Sequence, residues 1–218
     1  MRQPSKWTVT VCAVVCVYAV VSLLMSRGVG LTAFGDLTQC ALLFCATIAI
    51  LSNIRSHDRK EQLFWALMAS GCGMWLCAQV LWTYFEVFLR QEVPNPFVAD
   101  VVLFLHIVPM MAALAVQPHI QRNNHSLRVG SIDFLLLLTW WLYLYLFIVI
   151  PWQYVAPNEE LYGRSFDVLY ACEQIVFIAS IRYVWKRSRG SWQTIYGHFL
   201  KAALLYSMGS ILASVAID

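Results

Sequence analysis

Charge is what this chain has least of. Of its 218 residues, 12% are charged and 60% are hydrophobic. An ordinary soluble domain carries about 25% charge and about 45–50% apolar residues. Half the usual charge does not clothe a water-facing surface of this size, which excludes a soluble globular domain and a disordered chain. The formal net charge of +3 is too small to hold a polyanion, so nucleic acid is excluded as a partner. Fixed-period repeats, low-complexity tracts and Gly/Ser linkers are also missing, and residues 1–218 read as one domain. No metalloprotease motif, nucleophile elbow or phosphate-cradling glycine loop occurs, and no enzymatic activity is expected of this chain. The seven cysteines form no CxxC pair and no Cys/His set with zinc spacing. They read as small apolar packing residues, and no metal site is expected.

Long apolar runs fill the space that charge leaves. Seven are read, at 7–25, 37–53, 64–88, 97–116, 132–151, 166–185 and 196–217. Each is near the ~20 residues that cross ~30 Å of hydrocarbon at ~1.5 Å per residue. Membrane strands would alternate over about ten residues; these runs are continuous, which predicts helices. The first run exceeds the ~7–15 residues of a signal-peptide core and no small-residue cleavage site follows it, so it counts as a span.

The links between the runs carry most of the charge. With the N-terminus in the cytoplasm, twelve of the fifteen basic residues fall on the cytoplasmic side, leaving only Arg27, Arg90 and Arg164 outside. That bias obeys the positive-inside rule and supports both the span count and the orientation. The expected fold is therefore all-α: a polytopic membrane helical bundle with seven transmembrane helices, N-terminus cytoplasmic and Asp218 outside, in the inner (plasma) membrane. An eighth span would return the chain to the cytoplasm, and the chain is expected to continue past Asp218.

The most informative stretch runs from Trp75 to Asp100. Trp75, Gln79, Trp82 and Glu86 are spaced by four, three and four, which sets them on one face of the third helix. Pro94 and Pro96 stop that helix and stiffen the turn. Asp100 falls in the first turn of the fourth helix, where the helix dipole favours a carboxylate. Glu86 and Asp100 are expected to converge at the outer surface.

The pattern Trp82-x-Tyr84-x-Glu86, then Pro94-x-Pro96-x-x-x-Asp100, then an apolar helix through His106, Pro109 and Met111 resembles a multi-span module of bacterial signalling proteins. In those proteins the module precedes a cytoplasmic diguanylate cyclase (GGDEF-type) or histidine kinase domain. The resemblance covers roughly residues 65–118 in motif and the remainder in hydropathy and span count. It implies a sensor or membrane anchor. This sequence departs from the pattern in containing no output domain.

A second set of residues lies at membrane depth. Counted from the outer span ends, Gln79, His106 and Glu173 all sit ~11–15 Å in. Ionisable groups at that depth face the bundle interior and find partners. The three are expected to line an outward-facing cavity for a proton, cation or small polar ligand, with His106 and Glu173 paired. Pro109, three residues after His106, is expected to kink its helix. The structural reading of the same residues is an interhelical hydrogen bond worth ~0.6–2 kcal/mol.

His119 and His198 both lie near the cytoplasmic interface and are the one pair placed to hold a haem, though no cofactor is expected. A lysine for a retinal Schiff base is missing from the middle of the seventh span. Trp140, Trp141, Tyr143, Tyr145, Phe147 and Trp152 crowd the fifth span and read as packing and belt anchors. The expected partners are the lipid bilayer, an unidentified small ligand or ion, a second copy in a homodimer, and a cytoplasmic output domain. The expected function is a sensory or anchoring module that relays helix movement to that domain. The alternatives are a small proton-coupled transporter or permease using Glu173 and His106, and a membrane haem or quinone redox protein.

Overall fold

The computed structural model describes residues 6–26, 28–55, 58–94, 97–119 and 125–217, excepting the side chains of 6–12, 125–134, 159 and 210–217. The described residues contain eight α-helices and no strand. They are α1 (Lys6–Leu24), α2 (Val29–Ser52), α3 (Arg59–Thr83), α4 (Ala99–Leu105), α5 (Ile107–Val116), α6 (His125–Ile148), α7 (Glu159–Arg187) and α8 (Ser191–Ile217). Among the described residues, five stretches are long and apolar enough to cross a membrane: Val29–Arg55, Arg59–Leu89, Ala99–Val116, Leu135–Val155 and Glu160–Arg187.

Local chemistry sets the helix ends. The Asp58 side chain accepts the Lys60 backbone N–H at 2.9 Å and opens α3. Asn158 does the same for α7, accepting from Leu161 N–H at 3.0 Å, so α7 begins well before residue 166. Past Thr83, α3 widens into a π-helical turn over Tyr84–Leu89, which Arg90 ends in the left-handed region at φ 53°. A second π-helical turn, Pro151–Val155, follows α6. Between α4 and α5 the helix breaks at His106. Pro109 has no N–H for the Leu105 carbonyl and its ring crowds that turn, so the break falls just before the proline.

Helix α5 is the axis of the bundle. It packs against α3, α6 and α7, while α2 packs on α3 and α8 on α7. The α4–α5 window is 67% buried, against 6% for α2. Gly71 lets α3 approach, since a Cβ there would stand 2.6 Å from the His106 carbonyl oxygen. Gly73 and Gly209 face open space. The outward surface is apolar, with Leu23, Phe88, Val98, Phe147, Ile175 and Leu205 each more than half exposed. An apolar patch of that extent marks a surface meant for lipid or protein.

The bundle has two unlike ends. At one, α3 and α8 begin and α5 and α7 finish; Arg55, Arg59, Lys60, Lys186, Arg187 and Arg189 belong to it by position. Its interior is filled by rings. Phe64 meets Trp192 edge-on at 5.2 Å and Tyr196 at 6.0 Å, and Trp65 stacks on Trp192 at 6.1 Å. At the other end, α3 finishes and α4 and α7 begin, and Glu86, Glu92, Asp100 and Glu160 belong to it. These are called the basic end and the acidic end below.

Candidate functional site

Apart from Ser188 at the basic end, the buried polar and charged side chains among the described residues lie toward the acidic end, where two tiers stand out. The upper tier centres on Asp100. Its carboxylate accepts a hydrogen bond from the Tyr162 hydroxyl at 2.5 Å, joining the first turn of α4 to that of α7. The buried Tyr145 hydroxyl of α6 faces the same pair electrostatically but has no hydrogen bond of normal geometry. On its other side, Asp100 lines a cavity of about 20 Å³ with Gln79, Trp82 and Leu103. That volume is room for one water molecule. Three of the expected site residues therefore meet around one cavity.

The lower tier surrounds His106. Its ring is 2% exposed, lies 5.2 Å from Trp75 and 6.4 Å from Tyr170, and donates from Nδ1 to the Leu103 carbonyl. The break between α4 and α5 makes that carbonyl available. In the neutral ring this leaves Nε2 as the acceptor. Tyr170 and Tyr206 share a hydrogen bond at 2.8 Å, and Ser207 donates to Gln174 Oε1 at 3.1 Å, which ties α7 to α8. Glu173 is wholly buried, and neither carboxylate oxygen has a hydrogen-bond partner. His106 and Glu173 are both interior, then, without a hydrogen bond between them. They lie on parallel helices. Tyr170, one turn before Glu173, is the residue that reaches His106.

The remaining expected residues stand apart. Glu86 lies beside Asp36 of α2, while Asp100 takes Tyr162. The π-helical turn is the physical reason: its wider winding takes Glu86 off the face shared by Trp75, Gln79 and Trp82. Trp82, at the Asp100 cavity, is an exception: it is 37% exposed and also meets Phe97 edge-on at 6.1 Å. Tyr84 is exposed and stacks on Phe88 at 6.3 Å. Pro94 is exposed in the link, and Pro96 lies outside the described residues. At the basic end, His119 packs on Tyr196 and Trp192 with a 3.4 Å contact to the Tyr196 hydroxyl, whereas His198 is exposed on α8.

Compared with known families, characterised proteins and solved structures, the chain matches none.

Tyr162, Tyr145 and Tyr170 are site residues that motif reading passed over. A signal for them existed. Tyr162, Phe166, Tyr170 and Gln174 recur every four residues and form one interior stripe on α7. Trp141 and Tyr145 of α6, Val149 just past its end and Gln153 in the second π-helical turn do so as well, and all four are buried. Among the described residues no three Cys, His, Asp or Glu side chains gather as metal ligands. The site's chemistry is hydrogen bonding: one carboxylate, tyrosine hydroxyls, an amide and a water-sized cavity near Asp100, with an unpartnered carboxyl deeper down.

Proposed function

We propose that the chain is a membrane-embedded sensory or anchoring module of a bacterial signal-transduction protein. In this reading it is a seven-span inner-membrane bundle with the basic end in the cytoplasm. Its acidic end takes a small polar ligand or cation and passes helix movement to a cytoplasmic output domain. The observation that carries the reading is the asymmetry of the interior. Polar groups are collected under the acidic end, around Asp100 and His106, while Phe64, Trp65, Trp192 and Tyr196 close the basic end. A permease needs a polar route open in turn to both faces, and an aromatic plug does not supply one. The Asp100–Tyr162 bond between α4 and α7 is the element a ligand would make or break, and the break at His106 is where α4 moves relative to α5.

The test is transport itself. Proteoliposomes carrying the full chain and a pH- or sodium-reporting dye should hold an imposed gradient as long as protein-free vesicles do. Spin labels at positions 59 and 189 should change separation when sodium or acid is applied at the acidic end. Steady dissipation of either gradient overturns the sensor reading in favour of the permease.

A further inference from the structure

A groove on the apolar outer surface runs toward charged residues. It lies between α5, α6 and α7 toward the basic end and encloses about 590 Å³, within the ~300–1,000 Å³ of small-molecule sites. Met111 and Leu114 of α5, Leu137 of α6, and Val176 and Ala179 of α7 form its walls. The Ser180 hydroxyl in it donates to the Val176 carbonyl at 2.8 Å, so the groove floor offers no competing donor. At its mouth stand Gln117, where α5 ends in a left-handed turn at φ 44°, and Tyr183.

The α7 side of the groove is a single stripe. Val176, Ala179, Tyr183 and Arg187 follow at steps of three, four and four, so Arg187 continues the groove one turn beyond its mouth. Its guanidinium is seated over the Tyr183 ring at 4.7 Å from the centroid and donates to the Tyr183 hydroxyl. That contact orders an exposed arginine at the end of an apolar slot. Lys186 and Arg189 flank it in sequence.

We infer that this groove binds an anionic phospholipid, with an acyl chain lying along Met111, Leu137 and Ala179 and the headgroup phosphate held by Arg187. Charge complementarity selects the occupant. A zwitterionic lipid fills the slot equally well but gains less from three neighbouring cations, and guanidinium matches a phosphate in shape as well as sign. A second groove shows the contrast. It lies along α2, lined by Phe34, Leu37, Ala41 and Cys45, encloses about 370 Å³ and, like the first, has no charged residue in its lining, but the charge beside it in sequence is an acid, Asp36. The inference rests on the chain lying in a bilayer, and it stands whether or not the sensor reading holds.

Native mass spectrometry of the full chain tests it, using phosphatidylglycerol or phosphatidylcholine of identical acyl chains. The chain should retain phosphatidylglycerol preferentially. Arg187→Gln, at an exposed position that keeps the fold, should lower that retention on the order of fivefold and leave phosphatidylcholine unchanged. Ala179→Phe should remove both adducts by filling the slot, whereas Ala41→Phe in the α2 groove should change neither. Equal retention of the two lipids, indifference to Arg187→Gln, or the same effect from Ala179→Phe and Ala41→Phe would each overturn the assignment.

Discussion

Glu173 is the most demanding residue in the molecule. A carboxyl with no hydrogen-bond partner in an apolar interior is destabilising, and an apolar residue of similar size removes that penalty. Glu173→Met should therefore raise the unfolding free energy by about 1–3 kcal/mol, read as a higher thermal midpoint in nanodiscs. A lower midpoint would mean that the carboxyl has a partner and stabilises the fold. His119, outside the spans, gives the pH dependence. Burial pushes its imidazole below the ordinary value, so the fold prefers the neutral ring. As pH falls, the unfolded chain takes up the proton first, and stability present above about pH 6.5 is lost on acidification. The thermal midpoint should drop as the pH falls below about 6.5, and His119→Gln should flatten that drop. An identical profile in the variant would contradict the assignment.

Two contacts govern how the helices sit on one another. Gly71 permits α3 to meet α5 at the His106 break, and a methyl there would strike both the His106 carbonyl and the Met110 side chain at 2.6 Å. The carbonyl cannot swing aside, so Gly71→Ala should destabilise the bundle by about 1–3 kcal/mol, whereas Gly73→Ala, facing open space, should be close to neutral. Equal effects would show that α3 and α5 are not in close contact. The Asp100–Tyr162 bond fastens α4 to α7. Tyr162→Phe should cost about 1.5–3 kcal/mol, the range for a hydrogen bond to a charged group, and should speed hydrogen exchange at the starts of both helices. Exchange confined to α7 would mean that α4 is held by packing alone. The order of these elements along the chain was legible beforehand from the apolar runs and Pro109, but the Asn158 cap was passed over and the sixth run was started at 166, seven residues late. The π-helical turns were not legible, because they answer to packing and leave no local pattern.

For the whole molecule, the apolar outer surface and the five long apolar helices suit a bilayer, and the unequal ends imply an orientation. Single cysteines placed by Glu92→Cys and Arg189→Cys in an otherwise cysteine-free chain should label oppositely in intact cells. The first should react with a membrane-impermeant maleimide and the second only after permeabilisation. The reverse pattern would invert the proposed topology.

Composition by itself determined that this is an apolar helical chain whose scarce charges sit at its links, because burying or exposing charge against hydrocarbon is too costly to leave to chance. That His106 and Glu173 lie inside the bundle was likewise readable, since ionisable groups within apolar runs face the interior. Which side chains meet was decided by the tertiary structure alone. Asp100 and Tyr162 are 62 residues apart, Glu86 turns to Asp36 through a change in helix winding, and His106 finds Trp75 and Tyr170 in place of Glu173. Which residues share a helix face follows from sequence spacing, but which neighbour that face meets depends on how each helix packs to fill the core, and no local pattern encodes that.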